Sequence, residues 1–100
     1  MHISKLLPPE IRAALPPLGG TSEQSDPIAQ VKFFYPDFGW TWYGIEFDGT
    51  DIFYGLVFGF EREFGTFSLA ELLANRGKLG CPIERDFGFH PTPVSELLRE

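Results

Sequence analysis

Three pairs of carboxylates stand two residues apart in this sequence: Glu46 with Asp48, Glu61 with Glu63, and Glu84 with Asp86. In a β-strand, residues i and i+2 share a face, so each pair can point the same way. Paired carboxylates can hold Mg²⁺ or divide the roles of acid and base. Surface strands carry such pairs routinely, however, and no histidine joins them as a further ligand. Imidazole occurs only as His2, at the N-terminus, and His90, ahead of Pro91 and a helix start, where capping or packing is the default role. The single Cys81 lies in a Gly80-Cys81-Pro82 loop and reads as a tolerated thiol, because a nucleophile would need a basic partner. Ser68 has a clear local role, but that role is helix capping. No Walker A, Rossmann, CxxC or HExxH pattern is present, and the glycines at 55, 59 and 65 are spaced for a sheet rather than for phosphate. No catalytic residue, metal or cofactor is therefore assigned. A metal-dependent nuclease or hydrolase using Glu46, Asp48 and Glu61 or Glu63 stands as the lesser alternative.

Composition narrows the classes further. The chain has 100 residues, which fits one domain, and 16% of them are aromatic, enough to give a small chain a real core. A net charge of −6 argues against electrostatic binding to nucleic acid or anionic membranes. Trp40-Thr41-Trp42 could stack bases, but few cations lie nearby to hold phosphates. One cysteine excludes a disulfide scaffold and suits a reducing cytosol. The N-terminal fifteen residues lack the continuous apolar run of a signal peptide, with Pro8-Pro9 interrupting early. The longest apolar stretch, near 52–60, falls short of the ~20 residues of a membrane span. A soluble, cytoplasmic protein is the expectation.

The elements that must position these side chains can be read from periodicity and punctuation. Residues 9–15 form a short helix opened by Pro9 and stopped by Pro16-Pro17. The polar segment 19–27 reads as a mobile loop. From residue 28 the period becomes two, giving strands at 28–35, 40–48, 52–60 and about 62–67, with turns at Pro36-Asp37-Phe38-Gly39 and Asp48-Gly49-Thr50-Asp51. Ser68-Leu69-Ala70-Glu71 is a capping box, and Phe67 and Leu72 occupy the two positions of a hydrophobic staple. Gly77 is a suitable stop for that helix. A fifth strand falls within 83–89, and Thr92 with Pro93 starts a last helix over 93–99. The whole of 1–100 is thus one domain with a sheet-forming core over 28–89. Its class is α+β, an antiparallel sheet of four to five strands with short flanking helices.

Pairing the central hairpin separates two faces. With Asp48 opposite Asp51, one face carries Thr41, Tyr43, Ile45, Phe47, Ile52, Tyr54, Leu56 and Phe58 and should be the core. The other carries Trp40 over Gly59, Trp42 beside Val57, Gly44 beside Gly55, and Glu46 beside Phe53. Either a helix covers this second face as another core layer, or part of it is open as a binding site. Trp40, Trp42, Glu46, Asp48 and Phe53 are the candidate binding residues.

The order of Asp26-Pro27-Ile28-Ala29, Val31-Lys32-Phe33-Phe34, Trp40-Thr41-Trp42-Tyr43, Glu46, Asp48, Tyr54-Gly55-Leu56-Val57, Gly59, Glu61 and Gly65 resembles one bacterial family. Phe67-Ser68-Leu69, Glu71-Leu72, Arg76-Gly77 and Ile83-Glu84-Arg85-Asp86 continue the match. The family is the domain of unknown function numbered 2958. The resemblance implies a small stand-alone protein encoded on plasmids and integrative elements, with no established activity to carry over. The combined expectation is a non-enzymatic accessory protein that binds another protein through an aromatic and acidic sheet face. A DNA-mimicking, antirestriction-type inhibitor is the runner-up, weakened by Lys and Arg interspersed among the acids.

Overall fold

Alternating aromatic and β-branched residues dominate the middle of the chain. In the computed structural model, which describes residues 6–100, they build a five-stranded antiparallel sheet. Its strands are drawn from β1 (Ile28–Ala29), β2 (Val31–Phe34), β3 (Thr41–Phe47), β4 (Ile52–Phe58), β5 (Arg62–Ser68), β6 (Glu84–Arg85) and β7 (Thr92–Pro93). The large sheet runs β5-β4-β3-β2-β6, while β1 leaves it to pair with β7 in a two-stranded sheet. Helices α1 (Pro9–Ala14), α2 (Leu69–Ala74) and α3 (Val94–Leu98) flank the strands. The architecture is α+β.

Several elements differ from the sequence reading, each for a local reason. The 28–35 segment divides at Gln30, whose N–H donates to the Gly44 carbonyl at 2.8 Å while Ala29 turns toward Thr92. The 83–89 segment keeps only two strand residues. Asp86 ends it by accepting the Gly88 amide on its side chain (2.9 Å) and the Phe89 amide on its carbonyl (3.2 Å). Helix α2 stops at Ala74 rather than Gly77, since Arg76 pairs with Pro82 and the Gly77 amide bonds to the Cys81 carbonyl. Thr92 does not cap α3: its hydroxyl donates to the His90 carbonyl, and the cap comes from Asp26, which accepts the Ser95 amide and hydroxyl. The Ser68 cap of α2 is present, its Oγ accepting the Glu71 amide at 3.2 Å. Asp51 adds to it by accepting the Ala70 amide and the Ser68 hydroxyl, both at 2.8 Å.

The decisive departure is in the central hairpin. From Thr41↔Phe58 to Gly44↔Gly55 the expected pairing is found, but beyond it Glu46 faces Tyr54 and Phe47 faces Phe53. Ile45 is an extra residue, a β-bulge. The bulge absorbs a change at the turn, where the Asp48 amide bonds to the Ile52 carbonyl (2.9 Å), so the loop is one residue longer than a two-residue turn. Gly49 lies in that loop with φ of 91°, a conformation L side chains rarely adopt.

The extra residue reassigns the faces. Phe47 moves to the side of Trp42 and Phe53, and this becomes the larger core. Val31, Phe33, Phe67, Leu69, Leu72 and Ile83 join it, and it is roofed by α2 and by Leu6, Leu7, Ile11 and Leu15 of the N-terminal segment. Phe33 and Phe53 are fully enclosed there, each worth roughly 1.5–3 kcal/mol of burial. The face expected to be the core is the smaller one: Tyr43, Ile45 and Leu56 pack under Ala29, Val94 and Leu97.

At the bulge the backbones close in. A Cβ on Gly55 would overlap the Tyr43 carbonyl oxygen, whereas one on Gly65, across the next strand pair, would meet open space. Gly55→Ala is therefore expected to lower the unfolding free energy by about 3 kcal/mol or more, and Gly65→Ala to change it by less than about 1 kcal/mol. Chemical denaturation of the two variants checks this, and equal effects would contradict the packing described.

Candidate functional site

The first carboxylate pair does not converge, because Glu46 lies in β3 just beyond the bulge whereas Asp48 lies in the turn that follows it. Glu46 turns to the side of Tyr54 and Val94, where it is 4% exposed. Its Oε1 accepts the Gly19 amide at 2.8 Å, and its Oε2 accepts the Thr21 amide at 3.0 Å together with the Thr21 hydroxyl. Burial by itself raises the pKa of this group. The Thr21 hydroxyl and the two amides outweigh it and hold the carboxyl below its ordinary value. Glu46 thus clasps the 19–21 segment to the sheet as an anion. The neighbouring chain is held too, the Phe47 amide donating to the Pro16 carbonyl at 2.9 Å. Arg12 reaches the Gly49 carbonyl and lies over the Phe47 ring.

Asp48 is exposed in the turn. Its Oδ1 accepts the amides of Thr50, Asp51 and Ile52 at 2.8 to 3.0 Å, which lowers its pKa, Asp51 contributing most. Asp86 pairs with Lys32 at 3.6 Å. That contact, part-exposed, is worth ~0–1 kcal/mol. Glu61, in the β4–β5 turn, and Glu63, in β5, are both exposed. Among the described residues no three His, Cys, Asp or Glu side chains converge as a metal-ligand group. Cys81 is half-buried, and desolvation, with Asp37 beside it, raises its thiol pKa, which favours the unreactive form. His90 is exposed, and His2 lies outside the described residues. No helix among the described residues is long and apolar enough to cross a membrane.

The aromatic candidates are graded by depth. Phe53 is fully enclosed and Trp42 is 7% exposed, so both are core side chains. Trp40 is half-buried, its ring lying over Gly59 as the hairpin pairing predicts, about 2.6 Å from where a Cβ would stand. Above it sits Phe60, 92% exposed, in edge contact with the Trp40 ring at 5.4 Å. Trp40 contacts Trp42 at 6.0 Å, Trp42 contacts Tyr35 at 5.4 Å, and Tyr35 contacts Phe38 at 5.8 Å. An unbroken ring series therefore runs from exposed Phe60 through the core edge to part-exposed Phe38.

The five candidate binding residues do not form one open surface: two are enclosed, Glu46 faces the opposite side, and Asp48 holds a turn. Trp40 alone reaches the aromatic end of the sheet. Phe38 falls in a turn, where no strand register places it, and Phe60, read from the sequence as the end of a strand over 52–60, lies beyond β4, which stops at Phe58. Their signal was position, one directly after Gly59 and one directly before Gly39. Beside this end, a cleft of about 240 Å³ is lined by Lys32, Phe34, Tyr35, Phe38, Trp40 and Asp86. The turn that carries Phe38 is held in place by Asp37, whose Oδ2 accepts the Leu79 amide at 2.7 Å.

Because the Glu46 carboxyl titrates lower in the folded chain than in the unfolded one, its stabilisation is complete above the ordinary glutamate range. It is lost as pH falls through the lowered folded value. Glu46→Gln is expected to cost about 1–3 kcal/mol at neutral pH. The gap to wild type should narrow as the solution is acidified, as read by urea denaturation across pH. A gap that stays constant into acid would contradict an ionised clasp.

Residues 6–99 match the family model described as Protein of unknown function (DUF2958). No curated protein and no solved structure matches the chain significantly. With the match running from the segment that roofs the larger core to the end of the last helix, the chain belongs to the DUF2958 family.

Proposed function

We propose that this protein is a non-enzymatic binding module that engages another protein through the aromatic end of its sheet, with Trp40 and Phe60 at the centre of contact. The observation that carries this reading is the pairing of a 92% exposed phenylalanine with a half-buried tryptophan. A phenylalanine left almost wholly in water gains nothing for the fold, whereas large aromatic side chains backed by a rigid core are favoured anchors in protein interfaces. Trp42 and Tyr35 brace Trp40 from below, so little conformational freedom is lost on contact. Exposed Glu61 and Glu63 follow Phe60 directly and suit a partner with an apolar patch rimmed by basic residues.

Two of the candidate carboxylates support the non-enzymatic reading, since both oxygens of Glu46 and the Oδ1 of Asp48 accept hydrogen bonds that hold the fold. The resemblance to plasmid- and integrative-element-encoded proteins suggests an accessory role in mobile elements and an intracellular partner.

Phe60→Ser removes the exposed ring without opening the core. Crosslinking of tagged protein in cells, quantified against wild type, is expected to lose partner recovery about tenfold or more with unchanged thermal stability. Equal recovery of the same partner by the variant would contradict the reading.

A further inference from the structure

The second exposed feature is a strand edge. β5 ends the large sheet on one side, whereas the other end is closed off by the two-residue β6. Its pairing with β4 is regular from Ile52↔Ser68 to Phe58↔Arg62, with no bulge. Two bonds fix the phase of that ladder: the Gly59 amide donates to the Glu61 carbonyl at 3.0 Å, and the Leu69 amide to the Asp51 carbonyl at 2.8 Å. Since bonding alternates along an antiparallel ladder, Glu63, Gly65 and Phe67 bond to β4. The N–H and C=O groups of Arg62, Phe64 and Thr66 then point away from the sheet. Among the described residues no backbone bond reaches those outward groups.

Edges of this length are normally blunted by proline, lysine, a bulge or a covering segment. The seven residues REFGTFS contain neither proline nor lysine, and the first three are exposed. The charge of Arg62 is drawn inward, its guanidinium lying 4.5 Å from the Phe58 ring centre and donating to the Leu98 carbonyl.

We propose that β5 pairs antiparallel with β5 of a second copy of this chain, about a two-fold axis at Phe64, joining two sheets into one. The strand is complementary to itself in that register. Arg62 falls opposite Thr66, Glu63 opposite Gly65, and Phe64 opposite its own copy, with no like charges facing. Centring on Glu63 or on Arg62 instead would set that charge against itself, which is unfavourable. Phe64 is 44% exposed and stacks on Tyr54 at 6.2 Å, so the pairing would extend an existing aromatic stack across the axis. This surface is separate from the Trp40–Phe60 end, and the inference does not rest on the function proposed for that end.

Sedimentation of the full chain over a range of concentrations tests it. Wild type is expected to form a dimer. Phe64→Lys and Phe64→Glu, which place like charges on the axis, are each expected to weaken self-association about tenfold or more with unchanged circular dichroism. An equimolar mixture of the two variants is expected to restore the dimer, because the register pairs position 64 with itself. Three results would overturn the proposal: a wild-type chain monomeric at every concentration, whether or not it accepts a strand from another protein; a dimer indifferent to both charges; or a mixture that fails to re-associate.

Discussion

One inserted residue, Ile45, governs the arrangement of this domain. Side chains alternate along a strand, so an extra residue on one side of a ladder exchanges the faces of everything beyond it. Here the exchange sends Phe47 into the larger core beside Phe53 and turns Glu46 to the opposite side, where the 19–21 segment closes over it. Without it, a carboxylate would point among Trp42 and Phe53, at a desolvation cost of several kcal/mol. The close approach of Gly55 to the Tyr43 carbonyl lies beside the same irregularity. The N-terminal segment, the central hairpin and the smaller core thus depend on one local change in register.

Much of this was readable from residue patterns. The central strands, the Ser68 cap, the start of α1 at Pro9 and the lie of Trp40 over Gly59 follow from alternation, capping chemistry and pairing within a hairpin. The upper half of the hairpin register also follows, because its aromatic and glycine positions admit only one in-phase pairing. The bulge does not, since a two-residue and a three-residue loop fit Asp48 to Asp51 equally well in sequence. It was resolved by tertiary packing, which rewards Phe47 in the core and leaves Glu46 accessible to backbone donors. The Asp26 cap on Ser95 was likewise hidden, because its partners are far apart in the chain and carry no local signature. The candidate face inherited the same error, since assigning Glu46 to the tryptophan side made an acidic rim that the folded chain does not have.

Four acidic side chains are taken up by the fold. Glu46, Asp48, Asp51 and Asp26 each satisfy backbone amides that irregular segments or helix starts would otherwise leave unpaired. In a domain this small, with loops making up much of the chain, acceptor-only side chains are the economical way to meet that demand. Among the exposed aromatic side chains are Phe60, against Trp40 at one end of the sheet, and Phe64 on its open edge.

Glu46 is a buried anion held by Gly19 and Thr21 rather than an open carboxylate on the aromatic face. Carbon-13 NMR titration of its side-chain carboxyl measures this directly. The expected result is a pKa below the ordinary glutamate value, with the Gly19 and Thr21 amide signals moving at the same midpoint. A midpoint at or above the ordinary value, or amides that do not respond, would contradict it.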